Sequence, residues 1–194
     1  AALAVNTTTT GNQRAPDVAA DAAGNFMIMW NGRGGPDTTG VYGRIYDATG
    51  TALTGELLIN TTTAGTQTRP ALTASPLGGY IVAWSGQGTG DTTGIFARRF
   101  DASGNALAGE FLVNTITSST QQDPSVSCDP VGNFIIAWQG KVTGDAAGVA
   151  GQEYDSSGAA VGTEFLVNTT ITNTQSVASV AFMGNEKYVI AWSG

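Results

Sequence analysis

The sequence predicts an all-β protein: a β-propeller-like array of four-stranded antiparallel meander blades, built on a 54-residue repeat about 3.6 units long. Three observations predict it. Trp30, Trp84, Trp138 and Trp192 recur at one constant interval, and Asn6, Asn60, Asn114 and Asn168 keep the same interval, as do Gln13, Gln67, Gln121 and Gln175. A fixed period of this size marks a solenoid, propeller or array. Each period also holds four short apolar runs rich in β-branched and aromatic residues, with no helical periodicity of useful length. Finally, Asp- and Gly-bearing turns separate those runs at hairpin distance.

The chain is expected to form a single repeat domain over residues 1–194, with units at about 1–54, 55–108, 109–162 and 163–194, the last incomplete. The first strand reads PDVAAD, PALTAS, PSVSCD and ASVAFM, and the second NFMIMW, GYIVAW, NFIIAW and KYVIAW. The third reads GVYGRIYD, GIFARRFD and GVAGQEYD. The fourth reads GELLIN, GEFLVN and TEFLVN, with ALAVN at the N-terminus as its opening copy. DAAGN and DPVGN between the first two strands place Asp at a turn start and Gly where φ is positive, which suits a type I turn closed by a bulge. DATG, DASGN and DSSG repeat that chemistry between the third and fourth strands, while GRGGPDTTG, GQGTGDTTG and GKVTGDAAG are longer loops.

Two-residue alternation places Phe26, Ile28 and Trp30 on one face of the second strand, and Tyr80, Val82 and Trp84 likewise. Ala83, Ala137 and Ala191 lie on the other face, with Met29 in the first copy. A strand apolar on both faces must be covered on both, so units need neighbours. Burying one Trp with its two companions contributes on the order of 5 kcal/mol at ~25 cal/mol per Å².

Composition excludes several classes. Eight Lys+Arg against 15 Asp+Glu give a net charge of −7, with no His and one Cys. An acidic chain poor in lysine is a poor nucleic-acid binder. No apolar run is long enough for a membrane span. Without histidine the commonest general base and transition-metal ligand are missing. Cys128 cannot form an intramolecular disulfide, and its context predicts a small buried thiol in a strand. The start AALAVNTTTT has neither a basic n-region nor a long apolar h-region, which reads as a cytoplasmic protein or as a mature chain or fragment with its leader gone. The Thr, Gly, Ala and Asn richness favours an extracellular or cell-surface location.

The motifs FLVNTITSSTQQDPSV, GNFIIAW and GVYGRIYDATG resemble the repeats of large secreted or cell-surface bacterial proteins, whose pattern runs F-x-V-N-T, Q-x-x-P, G-x-F-x-V-x-W and G-V-Y-x-x-R-Y-D-x-x-G. The resemblance covers essentially the whole chain. It implies propeller blades in long multidomain chains, with adhesion or ligand binding as the usual role. The fourth unit lacks its third strand. Three readings of that gap are a fragment of a longer array, a four-bladed ring with one three-stranded blade, and two copies joining their open ends. The first and third are favoured, because a defective blade strains a closed ring.

Asp37, Asp91 and Asp145 recur in the Gly-rich loops. They are the candidate ligand-binding residues, as a repeated rim site for Ca²⁺ or a sugar. The competing reading is an Asx turn, each Asp bonding its own loop backbone. No other cofactor is expected. The asparagines fit the N-x-[ST] sequon but read as strand-end caps in a bacterial-looking chain. The glutamines read as ties to backbone groups between units. Arg14, Arg33, Arg44, Arg69, Arg98 and Arg99 are the cations a sialidase-like glycosidase would draw on. One catalytic site needs unlike groups and so should break the repeat, whereas Arg44 aligns with Arg98 and the polar residues mostly follow the period. The expectation is therefore a non-catalytic surface module with structural, adhesive or self-assembly roles, whose partners are itself or surface glycans. The alternatives are a lectin-like or Ca²⁺-binding propeller with repeated loop sites, and a glycosidase propeller.

Overall fold

A computed structural model describes residues 3–184 and 187–194. All its regular elements are strands. The first sheet comprises β1 (Gln13–Ala20), β2 (Phe26–Gly32), β3 (Gly40–Tyr46) and β4 (Leu57–Leu58). The second comprises β5 (Gln67–Ala74), β6 (Tyr80–Gly88), β7 (Asp91–Phe100) and β8 (Phe111–Leu112). The third comprises β9 (Gln122–Cys128), β10 (Phe134–Val142), β11 (Asp145–Tyr154) and β12 (Ala160–Leu166). A final hairpin pairs β13 (Ser176–Gly184) with β14 (Lys187–Ser193). Every sheet is an antiparallel meander in which neighbours in sequence are neighbours in space. The array is three complete sheets and a half sheet, and it is not closed on itself.

The hairpin turns form as their chemistry dictates. Asp21 accepts from the Gly24 amide at 3.0 Å and donates its own amide to the Asn25 carbonyl at 2.8 Å, with Gly24 at φ 84°. Its carboxylate also takes the amides of Ala23 and Asn25. The same closure recurs at Asp47, Asp101, Asp129 and Asp155. Cross-strand aromatic pairs fix the register: Trp84 opposes Phe96 with ring centroids 6.4 Å apart, and Trp30 opposes Tyr42 at 6.3 Å. The opening ALAVN forms no fourth strand. Ala2 lies outside the described residues, and Leu3–Val5 have no third-strand neighbour to pair with. Val5 instead lies against the first sheet, its carbonyl accepting from Arg44 at 3.2 Å.

The sheets stack through unlike faces. Met27, Met29 and Ile59 of the first sheet receive Tyr80, Trp84 and Phe96 of the second. Ala83, Ala97 and Ile95 of the second receive Phe134, Trp138 and Tyr154 of the third. Ile135, Ala137 and Val149 then meet Val180 and Tyr188 of the final hairpin. Trp84 and Trp138 are fully buried, Trp138 over the small Ala83 and Ala97 and Trp84 against Met27, Met29 and Ile59. Trp192, whose strand has no outer neighbour, is 42% exposed.

Because every sheet repeats one meander, β1, β5, β9 and β13 run the same way side by side. Their N-terminal ends gather at one end of the stack, which is where the candidate site lies.

Candidate functional site

Each of the four innermost strands begins with a β-bulge. Register shifts fall between Arg14 and Asp17, Thr68 and Ala71, Ala137 and Gln139 (opposite β9), and Ser176 and Ser179. At each bulge one residue occupies the left-handed region: Ala15 at φ 46°, Arg69 at 54°, Asp123 at 53° and Val177 at 53°. Non-glycine residues seldom adopt this conformation, and for β-branched Val177 it is a strained one. Three of the four precede a proline. The backbone is held there by the neighbouring sheet: Asn31 accepts from the Arg69 amide at 3.4 Å, and Gln139 from the Val177 amide at 3.0 Å. Strain of this kind collects where a fold presents groups for function.

At these bulges the repeat is broken. The two columns read Arg14–Ala15, Thr68–Arg69, Gln122–Asp123 and Ser176–Val177, so a symmetric backbone carries four unlike pairs. Arg14, Ala15, Thr68, Arg69 and Gln122 line a cavity of about 550 Å³, with Asn31, Ser85, Gln87, Gln121 and five threonine or glycine positions around them. The lining contains no aromatic ring. Arg69 Nη1 sits 2.8 Å from Asp123 Oδ2, across from one inner strand to the next. Asp123 is the one carboxylate among the eight ring residues. Two buried acceptors of the lining have no hydrogen-bond partner: Ser85 Oγ, in a residue 5% exposed, and Gln121 Oε1, in a residue 1% exposed. Ser85 holds the position that Asn31 and Gln139 use to tie down the next bulge, yet its hydroxyl makes no such bond. The Gln121 orphan recurs at Gln13 and Gln67 and so belongs to the repeat, whereas the Ser85 hydroxyl is the orphan particular to this cavity, and an unsatisfied buried hydroxyl asks for a partner.

The loop aspartates lie elsewhere. Asp37, Asp91 and Asp145 are buried within their own units. Asp91 accepts from the Thr93 amide at 2.9 Å and from Asn114 Nδ2 at 2.8 Å. Asp37 and Asp145 make the same pair of bonds, to Thr39 and Asn60 and to Ala147 and Asn168. This is the Asx-turn geometry, extended by an asparagine that also caps the third strand: Asn114 Oδ1 accepts from the Ile95 amide at 2.7 Å. None of the three reaches the cavity at the bulges. Among the described residues no group of three acidic or sulfur side chains comes together as a metal centre.

The glutamines are ties, as expected. Gln121 Nε2 donates to the carbonyls of Ile116 at 3.0 Å and Lys141 at 3.2 Å. Cys128 ends β9 half-buried. Burial and then the charge of Asp129 push its thiol up to about 11, so it stays protonated and unreactive at neutral pH. The arginines divide: Arg14 and Arg69 face the cavity, whereas Arg44 and Arg98 lie over the rings of Tyr46 and Phe100 and bond backbone carbonyls. The columns that repeat do not point to the ring. The signal lies in the adjacent columns that do not repeat, just after the recurring glutamine and before the proline.

No family model and no curated protein matches this sequence. Solved structures share its fold, an endo-arabinase and an endo-arabinanase among them. An endo-arabinase from Bacteroides thetaiotaomicron VPI-5482 superposes with a TM-score of 0.59 at 14% identity, over 98% of this chain and 74% of that one. A GH43 endo-arabinanase from Bacillus licheniformis superposes with a TM-score of 0.50 at 14% identity, over 86% of this chain and 63% of that one, so this chain spans less than two thirds of its length. The expectation of a non-catalytic structural, adhesive or self-assembling module is thereby corrected: these two structures of the same fold are an endo-arabinase and an endo-arabinanase. The physical premise of that expectation also fails, since the polar groups at the bulge ring do not follow the repeat.

Proposed function

We propose that the chain is a carbohydrate-active, glycosidase-type propeller that acts on a polysaccharide at the bulge ring. The observation that carries the reading is the broken symmetry: four equivalent positions hold Ala15, Arg69, Asp123 and Val177, of which Ala15 and Arg69 line one polar cavity and Asp123 stands at its edge through its pair with Arg69. The arabinase likeness supports the fold, and the cavity is lined from three neighbouring sheets, which suits an extended glycan. Thr66, Thr93 and Thr120 supply hydroxyls, and Gln87, Gln122 and Asn31 supply amides, for the donor and acceptor pattern of sugar hydroxyls.

Glycoside hydrolysis uses a pair of carboxyl groups, one acid and one base or nucleophile, about 5–10 Å apart. Asp123 supplies one of them. Arg69 holds its Oδ2 through a charge-assisted bond, which fixes the carboxylate's direction and leaves Oδ1 for substrate or water.

The test is release of reducing ends from a panel of polysaccharides, linear arabinan included. The expected result is hydrolysis of at least one, lowered about 100-fold or more by Asp123→Asn, which removes one acid–base group. Asp47→Asn, in a distant hairpin turn, should leave the rate unchanged. Absence of both hydrolysis and binding across the panel, or full activity in Asp123→Asn, overturns the reading.

A further inference from the structure

The charges of this acidic protein are not evenly spread. Five of its ten aspartates, Asp21, Asp47, Asp101, Asp129 and Asp155, sit in the hairpin turns at the end of the stack opposite the ring. At the ring itself stand Arg14, Arg69 and Asp123. The Arg69–Asp123 pair neutralises one cation, and the Arg14 side chain donates no hydrogen bond among the described residues. The cavity lining thus carries two cations, Arg14 and Arg69, and no carboxylate, in a chain of charge −7.

The rest of the lining points the same way. Sugar sites for neutral polysaccharides commonly rest a ring face on an aromatic side chain, and here all lining residues are aliphatic, hydroxyl, amide or guanidinium. Attraction must come from hydrogen bonds and charge. A guanidinium matches a carboxylate in planar, two-point geometry, and both arginines are exposed where an incoming carboxylate can reach them. Ser85 Oγ and the amides of Gln87 and Gln122 stand beside the two arginines as partners for the flanking hydroxyls.

We infer that the bulge ring selects a sugar bearing a carboxylate, a uronic-acid-type unit, with Arg14 and the free edge of Arg69 as its carboxylate clamp. This rests on the glycosidase-type reading above and deepens it by naming the substrate class. Arg14 and Arg69 are specificity-determining residues here. Arg69 has the second task of orienting Asp123.

The experiment compares polygalacturonate oligosaccharides with neutral linear arabinan oligosaccharides of equal length, for binding by calorimetry and for hydrolysis. Acidic oligosaccharides should bind at least tenfold more tightly at low salt, with the advantage falling steeply by 0.5 M NaCl. Arg14→Gln should cost the acidic ligand about tenfold or more and leave neutral ligands within twofold, and Arg14→Lys should recover part of the loss. Thermal unfolding of each variant checks that the fold is intact, and Arg14 is exposed enough for the substitution to be tolerated. Equal binding of acidic and neutral ligands, or an Arg14→Gln variant with unchanged preference, overturns the inference and leaves the glycosidase reading standing. Failure of both ligand classes to bind or react defeats that reading as well.

Discussion

Trp84 and Trp138 are fully buried with their indole Nε1 unpartnered, so each junction between sheets trades an unsatisfied donor for aromatic packing. Trp138 stands on Ala83 and Ala97 of the preceding sheet, where a smaller ring leaves a modest void and no orphan N–H. Trp138→Phe should therefore lower stability by about 1–2 kcal/mol, and Trp138→Ala by about 3–5 kcal/mol, in urea unfolding. Equal costs for the two variants would mean that ring packing contributes little there. Its burial was legible in the sequence, because a Trp that returns once per repeat, in phase with Phe and Ile, has to be covered. The unpaired indole was not, since a hydrogen-bond partner depends on the neighbouring sheet's backbone. The ring residues were illegible for a related reason. Arg69 and Asp123 are 54 positions apart and meet only because two inner strands lie side by side.

The elements are joined by a second recurring device. Glu56, Glu110 and Glu164, just before or within the fourth strands, reach back to the threonines of the segment that enters their own sheet. Glu110 accepts from the Thr61 amide at 2.6 Å and the Thr62 hydroxyl at 2.5 Å, and Glu164 from the Thr115 amide at 2.7 Å. Burial pushes the Glu110 carboxyl up, but the bonds from Thr62 and Thr61 together outweigh it and hold it below the usual carboxylate range. Glu56 follows the same balance with Thr8 and Thr7. A carboxylate whose folded value is depressed adds stability above its unfolded value near 4.3, and that stability is lost as pH falls through the folded value. The wild-type midpoint should thus drop on acidification from pH 5 to pH 3, and Glu110→Gln should lose less over that interval. Parallel pH curves for the two proteins would show that the clamp does not titrate. The strand order, the turns and the asparagine caps of each unit were all readable from the repeat. The glutamate clamp was not, because its partners stand nearly a whole period apart and no local pattern links them.

At the scale of the molecule, the end units differ from the inner ones. The final hairpin shows alternate exposure along β14, with Val189 49% and Trp192 42% exposed, while Trp84 and Trp138 are sealed and Trp30 is 5% exposed. Iodide should quench only a minority of the native tryptophan fluorescence, and Trp192→Phe should remove that minority. A quenchable fraction that survives the substitution would place the solvent-facing indole in another unit. The antiparallel four-stranded sheets followed from the sequence. The openness of the array and the gathering of four bulges at one end are products of three-dimensional superposition, which one-dimensional periodicity does not encode.

The interlocking of loop aspartate, strand-end asparagine and entering threonines has a consequence for how such a chain can change length. Each lock closes over partners drawn from one period and its immediate approach, so excising or duplicating one whole repeat leaves every lock with a matching mate, whatever the cut point. A block of any other size mismatches several locks at once. Growth by whole copies is thus the low-cost route for the scaffold, and it leaves the unlike residues of the ring as the part free to specialise.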